Sequence, residues 1–230
     1  SIAENVDLIY ARDAVSLEHL EGLCGSDARF RQAPDFTNLL NPACLPDSVP
    51  ECLIVPNHRM VEKMGAEDAG QYIPFLARVV EQAEALQLDT AVLLHDTVVD
   101  HELVEPLEQQ LGRSIRIIQA SDPLKLKAWL GAAKVVVGSR FHALVGALSQ
   151  GVPTLASGWS HKYQMLLEDY GCPELVLPVS ADADQVALSM QQAVRAPERD
   201  RLVKCLEEHG AAQGAAVEAM WSEVMPVLNA

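Results

Sequence analysis

Several features that would steer this sequence toward a function class are missing from it. Its five cysteines (Cys24, Cys44, Cys52, Cys172 and Cys205) are an odd number with no CxxC spacing. Zinc ribbons and disulfide frameworks are therefore disfavoured, and a reducing cytoplasm fits best. Basic residues are scarce: 17 Lys and Arg against 32 Asp and Glu leave a net charge of -15. Such a surface repels phosphate backbones and anionic lipid, which argues against nucleic-acid and polybasic membrane binding. No run of about eighteen apolar residues occurs, because Arg140 and His142 break the longest one, so no transmembrane helix is expected. There is no Gly-x-Gly-x-x-Gly or Walker sequence, which disfavours nicotinamide cofactors and ATP hydrolysis. No His, Cys or carboxylate set has metal-ligand spacing, and neither a metal nor another cofactor is expected. Signal-peptide patterns, internal repeats and low-complexity tracts are also lacking. The start at Ser1, in a strand-like segment, suggests a part excised from a longer protein.

What is present is a globular core. The 230 residues are 49% hydrophobic, too apolar for a disordered chain. Short apolar runs punctuate the middle: Cys52–Val55, Ala91–Leu94, Ile115–Ile118, Val135–Val137, Thr154–Ala156 and Leu175–Leu177. Helical patterns near 71–88, 100–111, 122–132, 141–150 and 161–170 separate them. That alternation predicts βαβ crossovers and an α/β fold, a doubly wound, Rossmann-like parallel sheet with helices on both faces. Asp122-Pro123 reads as an N-cap followed by proline in a first helical turn, and Gly112 and Gly151 read as helix stops. The segment Phe141–Gln150 is apolar almost all round and should be buried. Trp129 and Trp221 fall within helical patterns and are expected in the core. The map is thus a strand, a helix and a Pro-rich linker in 1–50, a Rossmann-like domain in 51–200, and a helical tail in 201–230. That tail either completes the fold or pairs two subunits into a homo-oligomer.

Ligands of open parallel sheets sit beyond the carboxyl ends of the strands. The residues there are Asn57-His58-Arg59, His95-Asp96, Gln119, Ser139-Arg140-Phe141-His142, Ser157 and Ser160-His161-Lys162. Four of the seven histidines fall in this set, which gathers cationic and proton-transferring groups on one edge of an acidic protein. An anion pocket needs such a gathering. In "KVVVGSRFHALVGALSQGVP" a buried strand ends at Gly138, Ser139 is placed to cap the next helix, and Arg140 and His142 occupy its first turn. Free N–H groups and the helix dipole favour an anion there, and Arg140 offers a planar fork for carboxylate or phosphate. His142, His95 and Asp96 are the acid/base candidates in that order. A local Arg–carboxylate pair and a strand-end cap at His95-Asp96 are the competing structural readings. Trp159 offers a flat apolar face for a sugar or for packing.

The stretch "VVVGSRFHALVGALSQGVPTLASGWSHKYQMLLEDYG" closely resembles the C-terminal part of polysaccharide pyruvyl transferases, with Arg-x-His-Ala, Gly-x-Pro and a Lys-bearing helix start in order. "DLIYARDAVSLEHLEGL" and "APDF" resemble that family's Arg-Asp-x-x-Ser and Pro-Asp elements, so the likeness runs from about residue 6 to 180. It implies a two-lobed fold similar to GT-B glycosyltransferases, of which this chain carries the C-terminal lobe. It further implies phosphoenolpyruvate as donor, a ketal formed across two hydroxyls of a sugar or lipid-linked oligosaccharide, and released phosphate. Arg140 and His142 would bind the donor, with His142 a candidate proton donor and Arg12 and Lys162 further contacts. Ser139, Asn57, Arg59 and Trp159 complete the expected binding set. The location implied is cytoplasmic, peripheral to the inner face of the membrane. A GT-B glycosyltransferase or epimerase using a nucleotide sugar, and a non-catalytic sugar- or phosphate-binding lobe, are the alternatives.

Overall fold

The computed structural model describes residues 5–42 and 48–229. Cys44 and the centre of the Pro-rich linker fall outside them. The chain opens with two three-residue strands, β1 (Ile9–Ala11) and β2 (Phe30–Gln32), paired parallel and joined through helix α1 (Ala14–Cys24). Asp13 caps that helix, accepting from the Ser16 amide at 2.7 Å. A 3-10 turn, Phe36–Leu39, then packs against two helices introduced below.

From residue 52 the chain alternates strand and helix: β3 (Cys52–Val55), α2 (Arg59–Lys63), α3 (Ala66–Ala85), β4 (Thr90–Leu94), α4 (Val104–Leu111), β5 (Ile117–Gln119), α5 (Pro123–Ala132), β6 (Val135–Gly138), α6 (Phe141–Leu148), β7 (Thr154–Ala156) and α7 (His161–Asp169). The tail is helical, α8 (Ala183–Val194) and α9 (Glu198–Leu228). All pairings in the five-stranded sheet are parallel, in the order β5-β4-β3-β6-β7. This is the doubly wound arrangement that the alternation predicts.

Period-two alternation divides the core. Cys52, Ile54, Val92, Leu94, Val135 and Val137 pack with α3, α4 and α8, while Leu53, Val55, Leu93 and Val136 pack with α5. Helix α6 serves both layers, with Leu144, Val145 and Leu148 in the first and Ala143 and Ala147 in the second. An all-round apolar helix is therefore satisfied, and His142 is its one exposed residue.

Three expectations need correction. Leu175–Leu177 is not a strand but a 3-10 turn, Pro173–Leu175, with a lone parallel bridge from Val176 to Ala156. Pro173 and Pro178 flank it and remove the amides a ladder would need. Helix α3 begins at Ala66, ahead of the expected 71, because Glu67 and Asp68 suit a first turn despite lacking apolar periodicity. Trp221 is 37% exposed and meets the Phe36 ring edge-on at 6.2 Å rather than entering the core.

Helix α9 returns across the molecule and is fastened at two places. Near its end, Glu223 accepts hydrogen bonds from Tyr10 of β1 and Arg31 of β2. Near its start it lies on Gly171, whose φ of 69° requires the left-handed region. A Cβ at that glycine would stand 2.6 Å from His209 Cε1 and 2.9 Å from Cys205 Sγ. Gly171→Ala should therefore destabilise the fold by about 1–3 kcal/mol, combining backbone strain with displacement of α9. Urea denaturation checks this, and an unchanged midpoint would mean that α9 is free to shift.

Candidate functional site

Successive crossovers run from β3 toward β5 and from β6 toward β7, so the strand order reverses between β3 and β6. A crevice opens at such a switch point, beyond the strand ends. Gly138 allows the two strands to close there, since a Cβ on it would meet the Val55 side chain and carbonyl at 3.0 Å. The loops beyond are braced from below. Asn57 Nδ2 and Tyr163 Oη both donate to the Ser139 carbonyl, at 2.8 and 2.9 Å, and the Asn57 amide donates to Tyr72 Oη at 2.9 Å. Ser139 is buried and does not cap α6. The N-cap position belongs to Arg140, and no side chain among the described residues caps the helix. Its first-turn amides meet no side-chain acceptor among the described residues.

Arg140 turns its fork inward. Nε donates to Asp100 Oδ2 at 2.8 Å, Nη2 donates to Asp100 Oδ1, and Asp96 lies 3.5 Å away. Asp100 is 0% exposed and also accepts from the amides of His58 and Asp96, at 2.9 and 3.2 Å. One carboxylate thus knits together the loops after β3, β4 and β6. The fork expected to grip a ligand is occupied, and Nη1 remains without a partner among the described residues.

His142 sits opposite, its side chain 59% exposed, with Nε2 3.3 Å from Asp35 Oδ2. Asp35 begins the Phe36–Leu39 turn, accepting from the Thr37 amide and hydroxyl at 3.0 and 2.5 Å, and Arg12 Nη1 lies 3.5 Å away. Burial alone would raise the Asp35 carboxyl, but hydrogen bonds from His142 and Thr37 hold it well below the usual carboxylate range. The Arg12 guanidinium lies 3.7 Å above the Phe141 ring, and its Nε is buried without a partner among the described residues.

These groups border a cavity of about 360 Å³ lined by Arg12, Asn57, Arg59, His95, Arg140, His142, Trp159 and Lys162, with Lys63, Phe141 and Tyr163 between them. That volume lies within the ~300–1,000 Å³ span of small-molecule sites. Lys162 Nζ is ringed by Trp159, Tyr163 and Phe141, at 4.8, 5.1 and 5.6 Å from the ring centroids. Burial, and then the neighbouring Arg12, lower its amine below the ordinary lysine value. Burial, and then Arg140, likewise lower His95 below the ordinary histidine value. Arg59 also pairs with Glu62 at 2.6 Å.

Two sequence candidates stay outside the cavity wall, buried Ser139 and Asp96, whose carboxylate accepts from the Val98 and Val99 amides at 3.3 and 3.4 Å. Two residues in the site carry no assigned role in the sequence reading. Asp35 had a usable signal, an Asp two residues before Thr37 in the manner of a helix cap. Asp100 had none, because in "VVDHE" it resembles any acidic helix start. Among the described residues no His, Cys, Asp or Glu group is arranged to hold a metal, and no helix is long and apolar enough to cross a membrane.

No curated protein matches the sequence. Among solved structures, a Listeria monocytogenes protein assigned as a UDP-N-acetylglucosamine 2-epimerase superposes with a TM-score of 0.62 at 15% identity, over 97% of this chain and 60% of its own. UDP-forming trehalose-phosphate synthase of Burkholderia xenovorans gives 0.56 at 12% identity, over 97% and 62%. Trehalose 6-phosphate synthase of Burkholderia multivorans gives 0.58 at 11%, over 97% and 59%. Identities this low speak for the fold alone, which is GT-B-like, and the chain spans about three-fifths of the length of these structures. The polysaccharide pyruvyl transferase family matches residues 1–161, from the first strand through Arg140 and His142 to the start of α7. By that match over most of its length, the chain belongs to the polysaccharide pyruvyl transferase family, a family of transferases.

Proposed function

We propose that the switch-point cavity binds phosphoenolpyruvate and that the protein transfers its pyruvyl group, as a ketal, to two hydroxyls of a sugar. What carries this reading is the convergence of Arg12, Arg140 and Lys162 with two histidines on one cavity of an acidic chain. A donor with a carboxylate and a phosphate needs several cations, and the uncapped amides of α6 add to them. With its fork on Asp100, Arg140 presents Nη1 and a fixed positive charge rather than a bidentate grip.

The chemistry assigns one role to each histidine. His142, backed by Asp35, protonates the donor's methylene carbon, which becomes the methyl group and leaves an oxocarbenium-like centre. One sugar oxygen attacks that centre and gives its proton to His95, whose uncharged form burial favours. The second sugar oxygen attacks as the C–O bond to phosphate breaks. Of the two hydroxyl protons, one replaces the proton spent on the methyl group and the other leaves on phosphate. Held cations and amides stabilise the departing charge.

Calorimetric titration of the full chain should show phosphoenolpyruvate binding that UDP-sugars do not displace. Phosphate release should require a sugar acceptor. Binding of UDP-sugars alone would move the reading to nucleotide-sugar chemistry, in line with the UDP in the names of two fold neighbours, a UDP-forming synthase and a UDP-N-acetylglucosamine 2-epimerase. Binding without phosphate release from any acceptor would make this a sugar- or phosphate-binding lobe.

A further inference from the structure

We propose that a second cavity, of about 280 Å³ between α5 and α6, receives the acceptor as a single sugar ring and presents its diol to the donor. This inference rests on the donor reading of the neighbouring cavity. The two hollows share His95 and His142, which form the partition between them. A hydroxyl that attacks a donor carbon must enter from a space bordering the same proton-transferring groups. This cavity meets that requirement.

Its lining suits a sugar better than the other occupants. Leu40, Leu126 and Leu130 form an apolar wall that matches the C–H face of a pyranose ring. Lys127 lies on the same wall, only 6% exposed, and its Nζ donates to the Thr37 carbonyl at 2.6 Å. An ammonium has three N–H donors, and no other described residue accepts from this one. Burial lowers the amine to about 8, so its remaining donors gain from meeting a hydroxyl oxygen. A lipid tail would leave those donors unsatisfied. A nucleotide diphosphate would want the fixed guanidinium groups of the donor cavity, which this wall lacks. The Thr37 carbonyl belongs to the turn that Asp35 begins, so Lys127 also ties the acceptor wall to the residue that holds His142.

Saturation-transfer NMR on the full chain tests the idea, with phosphoenolpyruvate present and methyl α-D-glucopyranoside, methyl β-D-galactopyranoside and methyl α-D-mannopyranoside as probes. At least one glycoside should bind. Lys127→Met, which keeps the side-chain length without the donors, should weaken that binding tenfold or more while leaving phosphoenolpyruvate affinity within twofold. Leu40→Trp, at the partly exposed rim, should block the glycoside with the same indifference to the donor. Loss in either variant with unchanged donor affinity supports the subsite. Phosphoenolpyruvate binding with no glycoside bound to the parent protein, or glycoside binding unchanged in both variants, overturns it. Failure of phosphoenolpyruvate itself to bind is a different result and would remove the donor reading.

Discussion

Asp100→Ala is expected to lower folding stability by about 3–5 kcal/mol, the scale for breaking a buried ion pair by removing one partner. The carboxylate is fully buried and accepts from Arg140 Nε and Nη2 and from the amides of His58 and Asp96. Without it a guanidinium is left largely desolvated and two amides lose their acceptor. Phosphoenolpyruvate affinity should fall tenfold or more in the same variant, because Arg140 is no longer held at the cavity wall. A double variant, Asp100→Leu with Arg140→Met, separates the two effects. Removing both charges should restore much of the stability while donor binding stays lost. Chemical denaturation and calorimetry read the two quantities independently. Normal donor affinity in the double variant would show that Arg140 is purely structural.

His142→Gln should leave stability almost untouched, since the side chain is mostly solvent-exposed, and reduce kcat by about 10²–10⁴, the range for losing a general acid, with little change in the KM for phosphoenolpyruvate. Asp35→Asn tests the residue behind it. The amide can keep the Thr37 bonds and a contact to His142, but it removes the negative charge that backs the ring. We expect kcat to drop roughly tenfold to a hundredfold, as for a misplaced catalytic group. A loss of phosphoenolpyruvate affinity or of folding stability in place of a loss of kcat would make Asp35 a scaffold residue with no part in proton transfer.

The sheet was legible because each strand is an apolar run between turn residues, and buried parallel strands have little other way to be written. Leu175–Leu177 looked the same and was not a strand, because prolines on either side act through missing amides rather than through hydropathy. At the site, the chain positions of Arg140, His142 and Lys162 could be read from their places after strands or at helix starts, but their partners could not. Asp35 and Asp100 reach the site from 107 and 40 residues away along the chain. Contacts of that separation depend on where loops come to rest, which no local pattern encodes. The sequence left Arg140 between a ligand-binding fork and an Arg–carboxylate pair, and the fold closes it on Asp100.

The clasp at Glu223 couples the long last helix to the strand that leads to Arg12. Tyr10 and Arg31 hold the last turns of α9 against the paired opening strands, and Arg12 emerges one residue beyond β1. The guanidinium stacked on Phe141 therefore hangs from a strap whose buckle is Glu223 in the last turns of α9. Opening that buckle with Glu223→Ala would reach the switch-point cavity by leverage, loosening one cation while the central sheet stays intact.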